Sequence, residues 1–126
     1  MKKLTILLLV IVCQSQLLSG QDMFPARQLT FNPAQEGFAT WSPDSRFIVY
    51  QHTDLNDTTG NNGLWMVSAD GTGPRQIFRG LAEHAKWSPD GSMIVSTSTR
   101  SGNFDIWIMD IDANKIRKEL EAINKK

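Results

Sequence analysis

Two aspartates, Asp44 and Asp90, stand 46 positions apart in matching settings, Trp41-Ser42-Pro43-Asp44-Ser45 and Trp87-Ser88-Pro89-Asp90-Gly91. A pair of carboxylates can divide general acid and base work between them. The residues around each aspartate point to a different role. Pro43 and Pro89 set φ near the value that the second position of a tight turn requires, and an aspartate there can accept hydrogen bonds from nearby backbone amides. Gly91 supplies a position free of side-chain strain, whereas Ser45 and Arg46 must manage without one. Asp44 and Asp90 are therefore read as structural turn residues, with Pro43, Pro89 and Gly91, and not as an acid–base pair.

The remaining chemistry-bearing residues are scattered. Asp54, Asn56 and Asp57 are calcium-like ligand types, but they lack the glycine and distal glutamate of an EF-hand loop. They lie in a polar stretch, Asp54 to Gly63, too rich in turn formers to be regular. His52 and His84 are the only histidines, and neither has a metal-ligand partner four residues on. Ser96 to Thr99 offers hydroxyls with no base near in sequence. No Gly-x-Ser-x-Gly elbow, phosphate loop or His-Glu-x-x-His motif occurs. Trp41, Trp65, Trp87 and Trp107 recur with the duplicated turns and read as packing residues before a sugar-stacking platform. The sequence thus predicts no catalytic residue, no cofactor and no metal; Arg100, Asp54, Asp57 and His84 are candidates for contacts with a partner.

The elements that hold these residues repeat. An apolar, β-prone run follows each turn, Phe47-Ile48-Val49-Tyr50 and Met93-Ile94-Val95-Ser96. Strands are expected at Arg27–Thr30, Phe38–Trp41, Phe47–Gln51, Leu64–Val67, Arg75–Phe78, His84–Trp87, Met93–Ser98 and Phe104–Asp110. Trp65 and Trp107 are 42 positions apart, the difference from 46 lying in the shorter second loop, Thr99 to Asn103. Short strands, evenly spaced turns and a tryptophan per unit at such a period are the signature of propeller blades.

Trp87-Ser88-Pro89-Asp90-Gly91, then an apolar strand, then Ser101-Gly102-Asn103-Phe104-Asp105-Ile106-Trp107-Ile108-Met109-Asp110, resembles the β-propeller repeat of the TolB family, a WD-repeat-like unit. Ala69 to Ile77 resembles the segment that closes each such unit. The resemblance runs from Arg27 to Asp112. It implies an all-β fold, a partial β-propeller of two four-stranded blades. It also implies that the fourth strand of each unit, here Arg75–Phe78, forms the outer edge of its blade. Arg27–Thr30 would then be a lone fourth strand, Phe38–Phe78 one full unit, and the last unit would supply three strands.

Two blades cannot close a ring, since propellers typically have four to eight. One expectation is head-to-tail self-association, in which Arg27–Thr30 of one copy completes the three-stranded blade of the next and three copies form a six-bladed ring. The other is a truncated remnant of a longer propeller. Families of this kind include periplasmic interaction platforms and gating domains of prolyl-oligopeptidase-like or tricorn-like peptidases. The resemblance implies an exported, non-enzymatic protein-interaction module with protein partners in the cell envelope. The alternative is an accessory or gating fragment of a periplasmic hydrolase. No catalytic domain lies within the chain, which favours binding.

Composition sets the surroundings. The 126 residues suit one small domain, divided as a leader (1–20), the repeat segment (21–112) and a basic helical tail (113–126). Met1-Lys2-Lys3 followed by Leu4 to Val12 has the form of a secretory signal, too short to span a bilayer. Cleavage sites follow Ser15 or Gly20. The protein is thus expected to be periplasmic or secreted, or lipid-anchored if Cys13, which ends the apolar run, is lipidated; only then would it meet the membrane. Cys13 is the only cysteine, so neither a disulfide framework nor a thiolate metal site is expected. Residues 21–112 hold 6 basic and 11 acidic side chains, and the tail holds 5 basic and 2 acidic. An acidic body argues against a nucleic-acid partner, which needs clustered Lys and Arg. Ile116, Leu120 and Ile123 share one face of the expected tail helix.

Overall fold

The computed structural model describes residues 23–123 and residue 125; the leader, its cleavage sites and Cys13 lie outside the described residues. The chain is mostly β, with two antiparallel sheets and a short C-terminal helix. Four strands form the first sheet in simple sequence order, β1 (Gln35–Trp41), β2 (Phe47–Thr53), β3 (Gly63–Ser68) and β4 (Arg75–Arg79). Three form the second, β5 (Ala82–Trp87), β6 (Met93–Ser98) and β7 (Asp105–Asp110), and α1 (Ala113–Ile123) follows. Among the described residues no helix is long and apolar enough to cross a membrane.

The sheets repeat each other in register as well as in order. Val49 faces Met66 and Tyr50 faces Trp65 across the β2–β3 ladder. Val95 faces Ile108 and Ser96 faces Trp107 across β6–β7. Side chains alternate between the faces of a strand, so each sheet has two distinct faces. Phe47, Val49, Leu64, Met66 and Phe78 pack from the first sheet against Ala82, Ala85 and Ile94 of the second, with Trp87, Trp107 and Met109 alongside. Val49, Leu64, Met66 and Ile94 are all 0% exposed, and burying such a side chain contributes about 1.5–3 kcal/mol. Ile48, Tyr50 and Val67 alternate onto the opposite face of the first sheet, where Leu29 and Trp65 pack on them.

The two sheets therefore stack the same way round. The front of the first, with Phe47 and Val49, meets the rear of the second, with Ile94. The repeat counterparts of Phe47 and Val49 are Met93 and Val95, and these point away from the first sheet.

Both first strands carry a β-bulge at the matching place, between Gly37 and Thr40 in β1 and between Glu83 and Lys86 in β5. Phe38 (φ 49°) and His84 (φ 55°) take the left-handed conformation there, at a cost of roughly 1–2 kcal/mol each for a residue with a Cβ. Their rings lie 4.4 Å apart. Bulges on edge strands twist the edge and end its capacity to pair.

Three expectations need correction or refinement. The second unit is a three-stranded sheet, so the two sheets have four and three strands and not four each. Arg27–Thr30 is not a strand: it runs beside the first sheet with no ladder partner among the described residues, and a strand exists only through such a partner. Trp41 is not core but 56% exposed, because no sheet covers the rear of the first. The tail helix forms where expected. Asp112 caps it, its carboxylate accepting the amides of Asn114 (2.9 Å) and Lys115 (3.1 Å). Ile116 rests on the rim of the inter-sheet core; the side chains of Leu120 and Ile123 lie outside the described set.

Candidate interaction surface

The duplicated turns are built alike, bond for bond. In the first, the Ser45 amide donates to the Ser42 carbonyl and the Ser42 amide to the Phe47 carbonyl, both at 2.9 Å. The Ser42 hydroxyl accepts the Phe47 amide (3.0 Å) and donates to Asp44 Oδ1 (2.7 Å). Asp44 also accepts the Arg46 amide (3.1 Å) and the Arg46 Nε–H (2.7 Å). In the second, the Ser88 hydroxyl accepts the Met93 amide (2.9 Å) and donates to Asp90 (2.6 Å). Asp90 accepts the Ser92 amide (3.0 Å) and hydroxyl (2.8 Å).

These donors stabilise the ionised carboxylates. The hydroxyl of Ser42, then Arg46, pulls Asp44 down to about 2, and the hydroxyl of Ser88, then Ser92, does the same for Asp90. A carboxylate so committed is a poor proton carrier near neutral pH. Gly91 (φ 74°) and Ser45 (φ 60°) take the left-handed position in their respective turns. The turns flank an open groove of about 320 Å³ lined by Pro43, Arg46, Phe47, Trp87, Gly91 and Ile116 among others.

At the other end of the sheets lie the β2–β3 and β6–β7 loops. Asp57 organises the first by accepting the amides of Thr59 (2.7 Å), Gly60 (3.1 Å) and Asn62 (2.9 Å) and the Thr59 hydroxyl (2.6 Å). These bonds hold it well below the usual carboxylate range. Asp54 accepts the Asn56 amide (2.8 Å), and its backbone is clamped by the Asn62 side chain through bonds of 2.6 and 2.9 Å. Both aspartates thus spend acceptors on their own loop. Among the described residues no group of three His, Cys, Asp or Glu side chains is arranged to hold a metal.

The other contact candidates are also engaged within the chain. Arg100 in the second loop places its guanidinium 5.0 Å above the Phe78 ring and 5.9 Å from Trp107, joining the two sheets by cation–π contact. His84 is exposed, with Nδ1 3.7 Å from Glu83 and its ring against Phe38. His52, which carried no site assignment, is more enclosed: its Nδ1 lies 3.2 Å from Glu36 Oε1 and its ring 5.2 Å from Trp65. Phe38, paired with His84 by the bulges, was missed as well. The signal was present, since each sits three residues before a repeat tryptophan.

The surface least explained by the chain's own packing is the front of the second sheet. Met93 and Val95 are each 39% exposed, Ile106 70% and Ile108 67%. Their counterparts on the first sheet, Phe47, Val49, Leu64 and Met66, are 8% exposed or less. On the rear of the first sheet Trp41 is exposed where its counterpart Trp87 is packed into the core, while Ile48, Tyr50 and Val67 beside it are buried with Leu29 and Trp65 packed on them. Contiguous exposed apolar surface of this kind is characteristic of interaction sites. No protein-family model matches the chain, and no curated protein is significantly similar to it.

Proposed function

We propose that this chain is an exported, non-enzymatic protein-interaction module made of two β-propeller-type blades of the TolB-like repeat. The observation that carries the reading is the stacking rule. The second sheet repeats the first in strand order, ladder register, bulge position and turn hydrogen bonding, and the first lays its front on the rear of the second. Propellers are built from units related in this way, and a face-to-face sandwich is not. The two equivalent loops, 54–62 and 99–104, project from one end, and the resemblance to propellers of this type makes such loops the expected holders of protein partners. The leader-like sequence of the first twenty residues supports partners in the cell envelope.

The test uses the full chain expressed in an exporting cell, with a photo-crosslinking amino acid at Asn56 or Ser101 and a control at Ser92 on the opposite end. The reading expects discrete adducts with envelope proteins from the two loop positions and fewer from Ser92. Retention of the chain in the cytoplasm, or equal labelling from all three positions, would overturn it.

A further inference from the structure

We infer that two copies of this chain join head to tail, the lead-in Arg27–Thr30 of one adding to the free edge of β7 in the other. The inference deepens the reading of the sheets as propeller-type blades and rests on it. The argument begins with what β4 does within the chain. β4 closes the first sheet beside β3, and its Ile77 and Phe78 lean over the rear of the second sheet, against Trp107 and the Ile94 cluster.

Arg27-Gln28-Leu29-Thr30 has the same relation to the first sheet. Leu29 packs on Ile48, Tyr50 and Val67 at its rear, and Arg27 donates to the Ala69 carbonyl at 2.6 Å. The lead-in is thus held where the fourth strand of a preceding sheet belongs, and no such sheet lies among the described residues. Its sequence, Arg-Gln-Leu-Thr against Arg-Gln-Ile-Phe of β4, carries the same pattern.

The complementary vacancy is on the second sheet. β7 pairs with β6 along one edge and with no strand along the other among the described residues. The lead-in cannot fill that vacancy in its own chain, because it lies behind the first sheet and the second sheet lies in front of it. A second copy can. Its β7 would meet the lead-in in the register that β3 and β4 show, where Met66 faces Arg75 and Trp65 faces Gln76. By the repeat, Ile108 then faces Arg27 and Trp107 faces Gln28.

The same movement brings Met93, Val95, Ile106 and Ile108 of one copy towards Trp41 and the lead-in of the other, whose Leu29 already packs on Ile48, Tyr50 and Val67. The exposed front of the second sheet is thereby covered, as the front of the first is covered within the chain. Because the contact joins two different surfaces, it propagates until a ring closes. Each copy brings two sheets, so three copies give six, within the range that propellers adopt.

The experiment is light scattering on the purified protein from expression of the full chain, alongside Ile108→Lys, which would set a like charge opposite Arg27. That side chain is largely exposed in the single chain, so the variant should keep its fold and lose the assembly. The inference expects a discrete multiple of the chain mass for the parent and at least a tenfold weaker association for the variant. Mixing Arg27→Cys chains with Ile108→Cys chains under mild oxidation provides a second readout, independent of how Ile108→Lys folds. A linked peptide pair carrying positions 27 and 108 is expected. A parent that stays a single chain at all attainable concentrations, or an oligomer untouched by Ile108→Lys and without the 27–108 link, would overturn the inference. Neither result depends on the loop crosslinks, so the two readings can fail separately.

Discussion

Replacing the turn serines one at a time measures whether the duplicated turns are framework. Ser42→Ala and Ser88→Ala remove the same two side-chain bonds, one accepted from the amide five residues on and one donated to the turn aspartate. The sites differ in their access to water. Ser42 is 4% exposed and its bond to the Phe47 amide is buried, whereas the bond from Ser88 to the Met93 amide is exposed. A buried amide left without its acceptor costs about 1–3 kcal/mol, while an exposed bond is worth about 0.5–1.5 kcal/mol because water replaces the lost partner. Ser42→Ala should therefore destabilise the protein by about 1 kcal/mol more than Ser88→Ala. Urea unfolding at one fixed protein concentration would show this as a lower midpoint with an unchanged slope. Equal losses, or a larger loss at Ser88, would refute the reasoning.

Three further outcomes follow from the same geometry. Ser45→Gly should stabilise the protein by about 0.5–1 kcal/mol in thermal unfolding, since the residue at φ 60° then matches Gly91 and sheds its Cβ penalty, less the added freedom of the unfolded chain. Gly63→Ala should cost more than about 3 kcal/mol and lower the yield of folded protein. A Cβ there would lie 1.9 Å from the Phe78 carbonyl oxygen, where only backbone movement that parts β3 from β4 could relieve it. Stability should also fall at both extremes of pH. Asp44 and Asp90 are lowered from 3.8 to about 2 by folding, so their contribution is present above about pH 4 and lost as the pH falls towards 2. Burial raises Tyr50 from 10.0 to about 12, so its contribution is present below pH 10 and lost as the pH rises towards 12. Denaturant midpoints against pH should show both limbs, with Asp44→Asn plus Asp90→Asn flattening the acid limb and Tyr50→Phe the alkaline one.

Seven of the eight expected strands form, because their signal is local. Apolar runs between Pro-Asp turns leave the backbone few other choices, and the repeat, offset by 46 and then 42 residues, places three of the strands twice. The fate of Arg27–Thr30 was not legible in the same way. Its residues match β4, yet a strand also needs a free edge at the right distance, and that depends on where the other elements pack. Trp41 shows the same limit: its sequence setting equals that of Trp87, and only the neighbouring sheet makes one core and the other surface. The bulges at Phe38 and His84 break the usual preference for glycine at positive φ, so the residue types concealed them. The aspartates behaved as turn chemistry predicts. Arg100 was marked as a partner contact on its loop position alone, and its stacking on Phe78 depends on how the two sheets sit against each other.

Amide hydrogen exchange of residues 27–30, followed as protein concentration rises, tests the central claim most directly. In a ladder with β7 of another copy these amides gain protection in step with assembly, and Ile108→Lys abolishes the gain. Exchange at the rate of an unstructured chain at every concentration, with the lead-in amides indifferent to Ile108→Lys, would contradict the account.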